Sequence, residues 1–152
     1  VKYMAIYSLL EDHELSFALM VPSSLSYLKP YFEDIQIPSL KYSLFCGEAL
    51  YENITSEWMQ CVPNAHILNV YGPTEATIFC TYYAGKKIEE IKSYNGIVCI
   101  GKAMKNTELG ILDQQKIITL EQTKECIKSS NRALASLLST IPLGILLDRI
   151  PS

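Results

Sequence analysis

"NVYGPTEAT", residues 69–77, closes an apolar run that starts at His66 and crowds a glycine, a proline, two threonines and a carboxylate together. Leaving a strand needs only Gly72-Pro73, because glycine frees the backbone and proline fixes φ. Thr74 and Glu75 then set a hydroxyl beside a carboxylate on a stiffened turn. Two readings of these residue types stand. In the first, Tyr71 offers an aromatic face for a planar base and Gly72 lets backbone approach a ligand closely. Thr74 then bonds a phosphate oxygen, while Glu75 holds Mg²⁺ as a hard oxygen ligand. In the second, Thr74 is an N-cap and Glu75 favours the helix dipole. A phosphate loop of the GxxxxGK type is excluded, since the stretch carries no lysine.

Working outward, residues 2–13 have apolar positions at helical spacing, and "LSFALMV", residues 15–21, is a continuous apolar run suited to a buried parallel strand. Pro22-Ser23-Ser24 breaks it, and Ser23 or Ser24 is expected to cap a helix running to about Phe32. The pattern recurs: residues 42–46 read as a strand, Gly47-Glu48 as a turn, 51–62 as a helix and 66–70 as a third strand. Parallel strands linked this way end at one edge of the sheet, where ligands of open α/β sheets bind. Pro22-Ser23, Cys46-Gly47-Glu48 and residues 71–75 are therefore expected to border one crevice. Residues 77–83 read as a further strand, 84–95 as a loop or short helix, and 96–113 as two short strands around Gly101. From Thr119 the pattern is helical, with Thr119 as cap and Leu134, Leu137 and Leu138 on one face.

The bulk composition excludes several classes. Hydrophobic residues make up 49% and charged residues 19%, so the chain is globular rather than disordered. A net charge of −3 without a basic run argues against a nucleic-acid partner. Five widely spaced cysteines form no CxxC pair and read as reduced thiols, Cys46 alone having a functional placement. With no secretory leader and no apolar run of membrane-spanning length, the expectation is a cytoplasmic protein with no membrane partner. The first residue is Val1, which leads us to expect a segment of something longer. His13 and His66 are far apart and read as surface or packed histidines.

The order of residues in "NVYGPTEAT" resembles the Asn-x-Tyr-Gly-Pro-Thr-Glu signature of the adenylate-forming, AMP-binding superfamily. The resemblance is to amino-acid adenylation domains of nonribosomal peptide synthetases and to D-alanine–carrier-protein ligases. "FALMVPSSLSYL" (17–28), "SLKYSLFCGEAL" (39–50) and "IGKAMKNTELGILD" (100–113) are similar to further family segments in the same order and spacing. The resemblance implies a parallel βαβαβ portion of the family's large N-terminal domain, followed by short strands and a C-terminal helix. It implies a partial adenylation domain over residues 1–113; residues 114–152 do not match the family, read as helical by their pattern, and are a divergent end, a frameshifted stretch or an appended helix.

By the same resemblance, Tyr71 would stack on adenine, and Gly47, Glu48, Ala49 and Asn69 would line the adenine slot with Gly72 beside it. Thr74 would contact the α-phosphate and Glu75 would hold Mg²⁺, both in catalytic roles. Leu44, Cys46, Val70 and Ile78 would wall an amino-acid pocket, with Leu19 or Met20 nearby. D-alanine–carrier-protein ligases share a Phe-Cys-Gly-Glu run with residues 45–48, which implies a small or apolar amino acid, D-alanine among the candidates. The activity implied is ATP-dependent formation of an aminoacyl-adenylate from an amino acid or small carboxylic acid. Its partner would be the thiol of a phosphopantetheinyl carrier protein. The family's phosphate loop, amine-gripping aspartate, ribose-binding aspartate, hinge and catalytic lysine have no counterpart in these residues. The expectation is therefore a fragment inactive alone. The alternatives are a fragment of an acyl- or aryl-acid–CoA ligase and a catalytically dead interaction remnant.

Overall fold

The computed structural model describes residues 4–107 and the backbone of 110–113 and 116–119. The first helix, α1, spans Met4–Asp12 and buries Leu10. Three short strands follow, β1 (Phe17–Met20), β2 (Tyr42–Phe45) and β3 (His66–Tyr71), paired in parallel. Helix α2 (Ser23–Leu28) links the first two and α3 (Glu52–Cys61) the last two. Strand β4 (Thr81–Gly85) then runs antiparallel to β3, and β7 (Lys102–Ala103) antiparallel to β4, so the sheet order is β1-β2-β3-β4-β7. Two separate hairpins complete the described chain: β5 (Ser93–Tyr94) with β6 (Ile97–Val98), and β8 (Gly110–Asp113) with β9 (Lys116–Thr119). The fold is mixed α/β around a sheet whose first three strands are parallel. Among the described residues no helix is long and apolar enough to cross a membrane.

The core lies on one face of that sheet. Side chains alternate along a strand, and Ala18, Met20, Phe45 and Ile67 point to the side covered by Leu25 and Leu28 of α2 and Trp58 of α3. Trp58 is fully buried and packs against Phe32 at a ring separation of 5.6 Å. Its indole N–H donates to the buried hydroxyl of Ser43 at 3.0 Å, so the polar group inside β2 is paired. The Lys29–Glu57 ion pair at 2.7 Å sits at the surface, where such pairs contribute little. The opposite face is different: Phe17, Leu19 and Tyr42 remain 55%, 51% and 48% exposed. Leu44 and Val70 on the same face are buried.

Several expectations are corrected. Neither Ser23 nor Ser24 caps α2: Pro22 takes the cap position without a side-chain hydrogen bond, because Pro is already set at helical φ. The helix ends at Leu28 and tightens into a 3₁₀ turn over Lys29–Tyr31, which carries Pro30. The strand expected at 77–83 begins only at Thr81, since the residues before it close the loop that leaves β3. Gly101 does separate two short strands, but β6 and β7 belong to different sheets, so no hairpin forms there. Residues 110–113 and 116–119 form the paired strands β8 and β9, of which Thr119 is the last residue. The helix expected beyond Thr119, with its leucine face, lies outside the described residues.

Replacing Ser43 by alanine leaves the buried Trp58 N–H without its acceptor. The expected loss is about 1–3 kcal/mol of stability. Urea unfolding followed by the fluorescence of the chain's one tryptophan reads it directly. An unchanged midpoint would mean that this hydrogen bond does not hold β2 to α3.

Candidate functional site

Because β1, β2 and β3 are parallel and in register, Met20, Phe45 and Asn69 lie close to a common edge. A cavity of about 210 Å³ opens there. Gly47, Glu48, Ala49 and Leu50 form one wall, from the turn after β2. Asn69, Val70, Tyr71 and Gly72 form a second, and Ile97, Val98 and Ile100 the third. Gly47 sits at φ +91°, a conformation that side chains resist, so the turn that starts the first wall requires glycine.

Asn69 joins the second wall to the third. It is buried, and its amide nitrogen donates to the carbonyls of Val98 at 3.0 Å and Cys99 at 3.2 Å. Two acceptors can be met only by the NH₂ side of the amide, which fixes its orientation and leaves the side-chain oxygen as the group not engaged by that wall. Tyr71 is half-buried, and its hydroxyl pKa is raised, first by burial and then by nearby Cys80, which keeps the ring neutral. Glu48 lines the cavity, yet its carboxylate is committed elsewhere. It accepts the Ser23 backbone N–H at 2.8 Å and the Ser23 hydroxyl at 3.2 Å.

The loop that follows β3 is pinched at its neck. Cys80 N–H donates to the Tyr71 carbonyl at 2.8 Å. A Cβ on Gly72 would lie 2.2 Å from the Cα of Phe79. Gly72 borders the cavity, and its own loop forbids a side chain there. Thr74 and Glu75 lie in a 3₁₀ turn, Thr74–Ala76, whose cap position is Pro73 with no side-chain cap bond. Thr74 is therefore not the N-cap, and it is exposed. Ile78 N–H then donates to the Ala76 carbonyl at 3.0 Å across Thr77, which has φ 73° and ψ −63°. Those angles define a γ-turn of the rare, strained kind, here on a β-branched residue.

Of the pocket residues expected for the acid substrate, Leu44 and Val70 are buried and Cys46 is half-buried. Leu44 aligns with Leu19 and Leu68 on the face turned away from Phe45, and alternation gives Cys46 the same side. Met20 belongs to the core on the other face. Ile78 is 59% exposed, and neither it, Leu44, Cys46 nor Thr74 borders the cavity. Strand alternation thus separates two groups at one sheet edge, Asn69 and Tyr71 on one side and Leu44 and Cys46 on the other. Cys61, Cys80 and Cys99 are buried, and burial together with Glu57 pushes the Cys61 thiol up to about 11. His13 is exposed and His66 stacks on Tyr42, so neither enters the site; Cys126 lies outside the described residues. Leu50, Ile97, Val98 and Ile100 were not foreseen. Their only sequence signal is apolarity, and Asn69 brings the last three in from about thirty residues away.

The family model of AMP-binding enzymes matches residues 2–127. This chain belongs to that family. Tyrocidine synthase 2 of Brevibacillus parabrevis is 32% identical over 68% of the chain, and a D-alanine–D-alanyl carrier protein ligase of Bacillus cereus is 33% identical over 50%. The adenylation domain AlmE of Vibrio cholerae, solved with glycyl-adenosine-5′-phosphate, matches 80% of the chain at 28% identity with a TM-score of 0.66. The chain spans 3%, 16% and 23% of the lengths of these three proteins, respectively. It aligns with one portion of each of them, and AMP or ATP is the nucleotide of the family.

Two substitutions test the loop. Gly72→Ala drives a methyl group into the Phe79 backbone and should cost at least the roughly 1–3 kcal/mol of an overpacked core, seen as a lowered urea midpoint. Thr77→Gly should do the opposite. Relief of about 1–3 kcal/mol of backbone strain outweighs the roughly 0.5–1 kcal/mol entropic cost of glycine, for a net gain of about 1 kcal/mol. A destabilised Thr77→Gly variant would show that the turn is unstrained.

Proposed function

We propose that this chain carries the adenine-binding half of an enzyme that activates an amino acid as its aminoacyl-adenylate, using ATP, and passes it to a carrier-protein thiol. The observation that carries the reading is the cavity between the ends of β2 and β3, with Tyr71 beside it and the Asn69 oxygen left free of the Val98 wall. An acceptor paired with a flat aromatic face suits the exocyclic amine and ring of adenine. The names of the relatives support the substrate class: a D-alanyl carrier protein ligase on one side, a domain holding glycyl-adenosine-5′-phosphate on the other. A cytoplasmic location, where ATP is available, suits this activity.

In this reading Tyr71 stacks on adenine, while Gly47, Ala49 and Gly72 bound the slot with backbone and Glu48 closes it. The exposed Thr74 hydroxyl, free of capping duty, bonds the α-phosphate as the substrate carboxylate attacks it. Glu75, the next residue of that turn, would hold Mg²⁺, a hard cation that takes oxygen ligands. An ion held there would supply neutralisation of the charge that builds on the phosphate. Leu44, Cys46, Val70 and Ile78, on the far side of the strand ends, enclose the side chain of the amino acid. A thiol at position 46 leaves room for a small residue such as D-alanine. Residues 1–113 supply these groups.

Amino-acid-dependent pyrophosphate exchange by a full-length protein containing these residues is the test. Exchange with small amino acids is expected, and exchange with fatty or aryl acids alone would overturn the proposal. The 152-residue chain by itself should form no adenylate, so amino-acid-dependent release of AMP from it would contradict the assignment of only half a site. In the full-length protein, Cys46→Leu should raise KM for the preferred amino acid about tenfold, as filling a fitted pocket costs roughly 1–3 kcal/mol. An unmoved KM in a folded variant would remove Cys46 from the pocket.

A further inference from the structure

We infer that Glu48 is a positioning residue: its carboxylate clamps the turn after β2 to the start of α2 through Ser23, and so holds the wall of the cavity in shape. Ser23 lies three residues beyond β1 and Glu48 three beyond β2. The strands are parallel neighbours, so the two turns leave the sheet side by side. Both carboxylate oxygens are used, one on the Ser23 N–H at 2.8 Å and the other on its hydroxyl at 3.2 Å. Each partner solves a problem for the other. The Ser23 N–H is a helix-start donor with no intrahelical acceptor, and Pro22 at the cap position gives it no side-chain acceptor.

The turn needs an anchor as well. Gly47 sits at φ +91°, with ordinary contact to Val21 as the nearest neighbour of its missing side chain. Backbone bonds hold the segment at its two ends, Cys46 N–H on the Met20 carbonyl and the Leu50 carbonyl on Val98 N–H. Between them, the Glu48 carboxylate attaches the wall to the start of α2. A carboxylate with two donors converging on it holds a geometry that one hydrogen bond does not. The wall it steadies includes Gly47 and Ala49, so the inference rests on the nucleotide reading for its functional consequence but not for its mechanical one.

The experiment therefore has two readouts on the 152-residue chain. The first is the rate at which a disulfide reagent labels Cys46, next to the clamped turn, compared with buried Cys61, Cys80 and Cys99. Glu48→Ala should speed labelling of Cys46 about fivefold, the worth of a typical net hydrogen bond. The three buried thiols should keep their rates. Ser23→Ala, which retains the backbone N–H, should give a smaller rise. Glu48→Gln, which keeps one acceptor, should fall between wild type and Glu48→Ala, and the double alanine variant should match Glu48→Ala. The second readout is affinity for N-methylanthraniloyl-AMP, which should weaken about fivefold in Glu48→Ala. An unchanged Cys46 rate, a rise shared by Cys46 and the three buried thiols, or independent effects of the two alanines would overturn the clamp. If wild type fails to bind the nucleotide, the proposed function fails while the labelling result still decides the clamp. Changed labelling with unchanged affinity would remove the clamp's role in the site.

Discussion

Parallel pairing of three short strands is the constraint from which the site follows. With Phe17, Tyr42 and His66 in one register, the chain leaves β1, β2 and β3 at nearly the same level. The three turns that follow have to stand next to one another, whatever their sequences. Burial fixes that register, because a shift of one residue would turn Phe45 and Ile67 out of the core and bring Leu44 and Leu68 into it. Trp58 reinforces it through the Ser43 hydroxyl, a contact possible in only one alignment. Binding geometry at the edge is therefore a by-product of core packing on one face.

The other face bears on what kind of object this is. A parallel sheet is normally covered on both sides, yet Phe17, Leu19 and Tyr42 stand about half exposed. The relatives in which the same strands occur are several times longer than this chain. The alternation that separates Tyr71 from Val70 is thus a boundary between a side with its own continuous core and a side on which Leu44 and Val70 are buried but Phe17, Leu19 and Tyr42 are not. The nucleotide half of the proposed site falls on the first side and the acid-binding half on the second.

Much of this was legible in the sequence, for reasons that differ by element. β1 to β3 read correctly because strands buried within a sheet are short unbroken apolar runs with turn residues at each end. β4 was displaced because 77–80 have the β-branched and aromatic character of a strand but are spent on closing the loop, where Cys80 meets Tyr71 and Phe79 meets Gly72. Ser23 read as a cap because its type and place fit one, whereas its hydroxyl donates to a carboxylate 25 residues away. Non-local partnerships of this kind leave no local trace. The same holds for the cavity: the wall from β3 was visible as an ordered motif, while Ile97, Val98 and Ile100 were apolar residues whose partner was an asparagine amide far behind them.

The account stands or falls on whether this edge recognises an adenine nucleotide. Titrating the isotopically labelled chain with AMP and following its amide resonances addresses that without requiring catalysis. The account predicts saturable shifts at Gly47, Ala49, Tyr71 and Gly72, with the side-chain amide of Asn69 moving alongside them and residues of α1 left unmoved. No shifts at millimolar AMP, or shifts confined to residues away from the ends of β2 and β3, would contradict it.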